Sequence, residues 1–275
     1  MPPPNVTTMT RLEHSTYLDH LRAESARFLA VLEGCDPEAR VPSCPDWDAA
    51  DLLWHLGEVQ HFWEHVVRTR PEPPESYEEP ERPSSFDGLV AFFRATHETF
   101  IGQFEKADPT DPAWFWSGNP AHQNIAHLAR RQAHEALIHR RDAELAAGQV
   151  TDLPAALAAD GVDEILDVMY GGLPPWGRFE PREQYAEFRA TDTGSSVWVQ
   201  LGTFSGTTPE GVERSGEPDQ HVVADPGVPA DLVVTGTASD LDAWLWHRAG
   251  DERISITGDD AVRTQVAAVL GQSID

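Results

Sequence analysis

The sequence predicts an α+β protein in two parts, a four-helix bundle followed by a small α+β domain. Three observations carry this. Apolar residues recur at helical spacing through the N-terminal half, a breaker-rich stretch interrupts the chain at residues 171–177, and alternating β-branched segments appear only beyond it. A length of 275 residues agrees with two domains, given the usual 100 to 200 residues or so per domain.

In residues 12–32, Leu12, Tyr17, Leu18, Leu21, Phe28, Leu29 and Leu32 follow one another at mixed threes and fours with charges between them, and Gly34 closes the helix. After a turn at residues 41–45, Asp46 is an N-cap candidate for a second helix from residue 49 to about residue 68. Residues 71–85 hold five prolines and five glutamates with almost no aliphatic side chain, so an exposed, extended loop is expected there. A third helix fits residues 86–104, where Leu89, Val90, Phe92, Phe93, Phe100 and Ile101 form a stripe. A fourth fits residues 120–147 and ends at Gly148. Four such helices suggest a bundle.

Residues 155–170 read as a short helix running into the Gly- and Pro-rich stretch at 171–177, which is expected to connect the domains. This gives a helical domain of residues 1–172 and an α+β domain of residues 173–275. In the latter, residues 185–190, 196–201, 232–235 and 254–257 read as strands, and residues 240–249 and 260–270 as helices.

Asp and Glu total 46 against 20 Lys and Arg, a formal charge of −26. Such a field repels phosphate backbones and anionic lipid, which argues against nucleic acid or membrane as partners. There is no apolar run of spanning length, and residues 1–13 lack the pattern of a signal peptide, so a cytoplasmic protein is expected. Cys35 and Cys44 are the only cysteines, too few for a disulfide framework or a thiolate zinc site. Nothing basic closely flanks Cys44, which reads as a small semi-buried residue.

Ten of the twelve histidines fall between His14 and His139, inside the helical half, and bundles build metal sites from inward-facing side chains on different helices. His134 and His139 are five residues apart, which rotates them about 140° from one another and excludes a metalloprotease-type pair. Glu135 and His139 are four apart and project from one helical face, so they can share one divalent metal. They can equally form a solvated intrahelical pair. His55, mid-helix among Leu53, Trp54 and Leu56, is the candidate third ligand, or else a core histidine bonded to a backbone carbonyl. Two imidazoles and one carboxylate would leave open positions, the arrangement of catalytic zinc. Such an ion can polarise a carbonyl, acidify water or hold a thiol as thiolate.

The segments VPSCPDW at 41–47, ADLLWHLGEV at 50–59 and ARRQAHEALIHRRDAE at 129–144 resemble the mycothiol-dependent maleylpyruvate isomerase family of actinobacteria, within the DinB-like superfamily. ADLVVTGTASDL at 230–241 and WLWHR at 244–248 look like that family's second domain, distantly similar to sterol-carrier folds. The resemblance implies a DinB-like bundle that binds zinc through His55, Glu135 and His139. It also implies an active-site arginine from the second domain, matched to Arg248, and mycothiol as thiol cosubstrate. It further implies that the metal-held thiolate adds to a cis double bond, that rotation and thiol elimination give the trans isomer, and that Arg248 stabilises the enolate.

The expected partners are a small-molecule electrophile and a low-molecular-weight thiol, acting on a monomer or homodimer. Three other functions are open: a mycothiol S-transferase acting on another electrophile, a metal-dependent hydrolase needing no thiol, and a non-catalytic binding protein whose pocket uses Trp176, Trp198, Trp244 and Trp246.

Overall fold

The computed structural model describes residues 11–272 and Ile274; the expectation concerning a signal peptide rests largely on residues 1–10, outside the described residues. The chain divides between Thr151 and Asp152 into two compact units, with Arg11 joining the second. This is some twenty residues before the connection expected at 171–177. The helix that follows Asp152 packs on a helix of the C-terminal sheet domain and so belongs to it, and 171–177 lies inside that unit.

The first unit holds α1 (His14–Glu33), α2 (Ala49–Thr69), α3 (Phe86–Phe104) and α4 (Ile125–Ala146). Capping side chains set three of the starts. The Asp48 carboxylate, not that of Asp46, accepts the Asp51 amide at 2.9 Å while Asp51 accepts the Asp48 amide at 3.2 Å, a reciprocal capping box that Asp46 stands too far from the helix to make. Ser85 caps α3 and Asn124 caps α4. The Asn124 cap begins α4 at Ile125 rather than residue 120, and residues Pro120–His122 make a separate 3-10 turn. At its end, Gly148 takes φ 66° while the Gly148 and Gln149 amides bond back to Leu145 and Glu144, a Schellman motif.

α1 packs on α4 and α2 on α3. The core between them is built from Phe28, Leu32, Leu52, Leu53, Leu56 and Phe93, all buried. A polar network with buried Arg140, Glu24 and Glu144 also ties α1 to α4: Arg140 donates to Glu24 at 2.8 Å and to Glu144 at 2.9 Å, and the exposed Arg27 donates to Glu144 at 2.9 Å. Most of the 71–85 loop is exposed, as expected, yet Tyr77 docks on α2, its hydroxyl 3.1 Å from His61 Nδ1 and its ring edge-on to Phe62.

His97 on α3 lies 2.9 Å from the Gln60 side chain and stacks on Phe93. Burial, reinforced by the Arg22 charge, pushes its pKa down from 6.5 to about 4. The unfolded chain therefore binds a proton there before the folded one does. Stability contributed by neutral His97 is complete above about pH 6.5 and is lost as pH falls toward 4, by up to about 3 kcal/mol. Urea unfolding of His97→Gln across that window is expected to show a shallower pH dependence than the parent chain.

The second unit contains α5 (Ala155–Glu164), one π-helical turn (Ile165–Met169), β1 (Gly177–Ala190), β2 (Ser196–Thr207), β3 (Glu213–Val223), β4 (Leu232–Gly236), α6 (Ala238–Leu245), β5 (Ser255–Gly258) and α7 (Asp260–Leu270). The sheet order is β3-β2-β1-β4-β5, with β1 and β4 parallel and the other neighbours antiparallel. Strand β3 was not expected, because Glu213, Gly216, Glu217, Pro218 and Asp219 are poor strand formers. It is tolerated as an edge strand with a bulge, where Gly216 takes φ 69° and the register with β2 shifts. α6 stops at Leu245 instead of continuing to 249. The His247 and Arg248 amides fold back to the Trp244 and Ala243 carbonyls, and His247 adopts φ 59°, so a second Schellman motif ends the helix.

Candidate metal centre

α2 and α4 bring His55, Glu135 and His139 together. Their ligand atoms all lie within 4.8 Å of one another. Glu135 Oε1 is 3.2 Å from His139 Nε2 and 3.9 Å from His55 Nε2. The four-residue spacing on α4 stacks Glu135 and His139 on one face, and α2 presents His55 to them with its ring 4.8 Å from that of His139.

Ligands about 2.0–2.1 Å from a tetrahedral zinc stand roughly 3.3 Å apart, so Glu135 and His139 already stand at ligand spacing and His55 would close on a divalent ion by moving inward. Side-chain exposure rises from 8% at His139 through 19% at Glu135 to 32% at His55. The centre is therefore rooted in the core and reachable by a small molecule.

The surroundings fix the donor atoms. Asp142, fully buried, accepts from His139 Nδ1 at 3.0 Å and from the Ser43 hydroxyl at 2.5 Å. With Nδ1 holding its proton toward Asp142, Nε2 faces the centre, the carboxylate–histidine arrangement that orients metal ligands. The Arg131 guanidinium engages Glu135 Oε2, which leaves Oε1 toward the two imidazoles. Trp47 packs tilted against the His55 ring, with centroids 4.6 Å apart.

Burial alone would lift the Glu135 pKa, but the Arg131 charge and the bonds to His139 and His55 hold it well below the usual carboxylate range. Burial would likewise lower that of His139, but Asp142 and Glu135 outweigh it and raise the value to about 9. The cationic and donor neighbours of Glu135 keep it an anion, and the carboxylates beside His139 favour its protonated form, so each group is held charged by the other.

Arg248, the fourth residue singled out in the sequence, lies in the second unit just beyond α6. Its side chain donates to the Trp246 carbonyl at 2.7 Å. Asp142, Ser43, Arg131 and Trp47 were missed. Asp142 carried a readable signal, since it stands three residues beyond His139 on the same helix.

Residues 18–144 match the mycothiol maleylpyruvate isomerase N-terminal domain family, and residues 156–265 match the C-terminal domain family of the same proteins. Among solved structures, the chain is similar to the mycothiol-dependent maleylpyruvate isomerase, at 14% identity and a TM-score of 0.58. It is similar also to a histidine-to-alanine mutant of that isomerase, at 13% identity and a TM-score of 0.60. Each alignment covers 91% of this chain and 95% of the other. No curated protein sequence matches. No helix among the described residues is long and apolar enough to cross a membrane.

Proposed function

Because the chain belongs to the mycothiol-dependent maleylpyruvate isomerase family, we propose that it is a thiol-using metalloenzyme of maleylpyruvate isomerase type, with His55, Glu135 and His139 holding zinc and mycothiol as cosubstrate. The observation that carries this reading is the convergence of two imidazoles and one carboxylate from two helices. Three mixed nitrogen and oxygen donors suit zinc and leave it open to a further ligand. When bound, the metal would supply thiolate at neutral pH by lowering the pKa of the cosubstrate's thiol.

The chain's own residues prepare that chemistry. Once a metal displaces the proton from His139, Glu135 would bring one negative charge and the neutral histidines none, so a divalent centre would keep net positive charge to receive a sulfur anion. Asp142 and Ser43 hold His139 in the tautomer that offers Nε2, and Arg131 orients Glu135. Arg248 is assigned to the substrate's carboxylates and to the enolate charge formed on addition. In a chain of net charge −26 such a cation must be supplied locally.

Asp142→Asn is expected to weaken zinc binding by about 10- to 100-fold, measured by competition with a chromogenic chelator. The function is tested by following maleylpyruvate and mycothiol together. Formation of the trans isomer with full recovery of free thiol supports the isomerase. Stoichiometric loss of thiol into a conjugate would make the protein an S-transferase, and turnover without thiol would reject both in favour of hydrolysis.

A further inference from the structure

The second unit contains a cavity of about 240 Å³ with a part in none of this chemistry. Its floor is apolar and buried, made by Leu232, Val234, Val266 and Leu270, with Trp244 as one wall. Of the four tryptophans considered for a pocket, Trp244 alone lines this one; Trp198 and Trp246 are core residues, and Trp176 packs edge-on against Phe204.

Two features distinguish the cavity from a packing gap. First, its only formally charged lining residue is a cation, Arg263, and no acidic side chain lines it, in a protein with a large acidic excess. Arg263 is exposed and donates one N–H to the Ile256 carbonyl. A guanidinium has five such donors, and the Arg263 side chain makes no other hydrogen bond among the described residues.

Second, the walls are pinned together. His247 occupies the left-handed position that normally falls to glycine, at a cost of about 1–2 kcal/mol for a residue with a Cβ. Its ring bonds the Leu270 carbonyl at 2.8 Å, joining the end of α6 to the end of α7 beside the cavity. Backbone held in a sparsely populated conformation tends to accompany binding sites.

We infer that this cavity binds a compact apolar monocarboxylate, its carboxylate paired with Arg263 and its hydrocarbon part against Trp244 and the apolar floor. An apolar cavity of about 150 Å³ accepts benzene, so this volume corresponds to about ten non-hydrogen atoms.

The test is calorimetric titration of the zinc-loaded full chain with octanoate and, for comparison, 1-octanol. Octanoate is expected to bind with a Kd below about 1 mM, in keeping with a ligand of this size. Arg263→Gln should weaken octanoate about tenfold, through loss of one charge-assisted contact, and leave octanol unchanged. Ala267 is an exposed lining residue, so Ala267→Phe should occlude the cavity without disturbing the core and abolish binding of both. His55→Ala should leave octanoate binding intact, which separates this site from carboxylate capture by the metal. No octanoate binding to about 10 mM, equal affinity for octanol and octanoate, or binding that survives Ala267→Phe and disappears in His55→Ala would each overturn the inference.

Discussion

His55→Ala is expected to leave the protein folded, to drop bound zinc from about one per chain to near none after dialysis, and to cut mycothiol-dependent turnover by about three orders of magnitude or more. His55 is the one member of the proposed ligand set on α2, so its removal leaves only the Glu135–His139 pair of α4. Two ligands from one helical turn do not hold a catalytic zinc. A bound metal contributes several kcal/mol of charge stabilisation, and each 1.36 kcal/mol is a factor of ten in rate. The folding cost is small because His55 is about one-third exposed and lies outside the bundle core. Elemental analysis and initial rates check the first two parts. Unfolding must be compared between metal-free forms, since zinc stabilises only the form that binds it.

Arg140→Ala is expected to destabilise the first unit by about 3–5 kcal/mol, the usual cost of leaving a buried charge uncompensated. Arg140 is buried and bonds Glu24 and Glu144, themselves buried, as well as the Thr151 hydroxyl. Arg27 and Thr151 would still satisfy Glu144. Glu24, at 6% exposure, would lose the cation it pairs with in the core. Calorimetry should place the first unit's transition roughly 10 °C or more below that of the parent chain. Converting both partners, Glu24→Gln with Arg140→Met, should recover much of the loss, because the penalty belongs to the stranded charge and not to the pair. An Arg140→Ala chain that melts within about 2 °C of the parent would show that water reaches Glu24.

The helices were legible because their signals are local. The stripe of Leu89, Val90, Phe93, Phe100 and Ile101 spans α3, and the spacing of Glu135 and His139 survives any packing of α4. What brings His55 to them is long-range packing of α2 against α4, which periodicity cannot show. Asp142 escapes a local reading because an acid one turn beyond a histidine usually faces solvent; here it is buried and bonded to Ser43, 99 residues earlier in the chain. Strand β3 escaped for the converse reason, since its Glu, Pro and Gly residues are poor strand formers and its place is fixed by pairing with β2. The unit boundary at Thr151 was hidden because nothing in the sequence of α5 distinguishes a fifth bundle helix from one that packs on α6. The end of α6 was misjudged because a histidine, not a glycine, takes the left-handed position at 247.

X-ray absorption at the zinc edge of the purified protein addresses the metal centre most directly. Two imidazoles and one carboxylate should appear at about 2.0–2.2 Å, with the imidazole signal reduced in His139→Ala. A first shell containing cysteine sulfur in the absence of added thiol, or an imidazole count unchanged by removal of His139, would contradict the centre built from His55, Glu135 and His139.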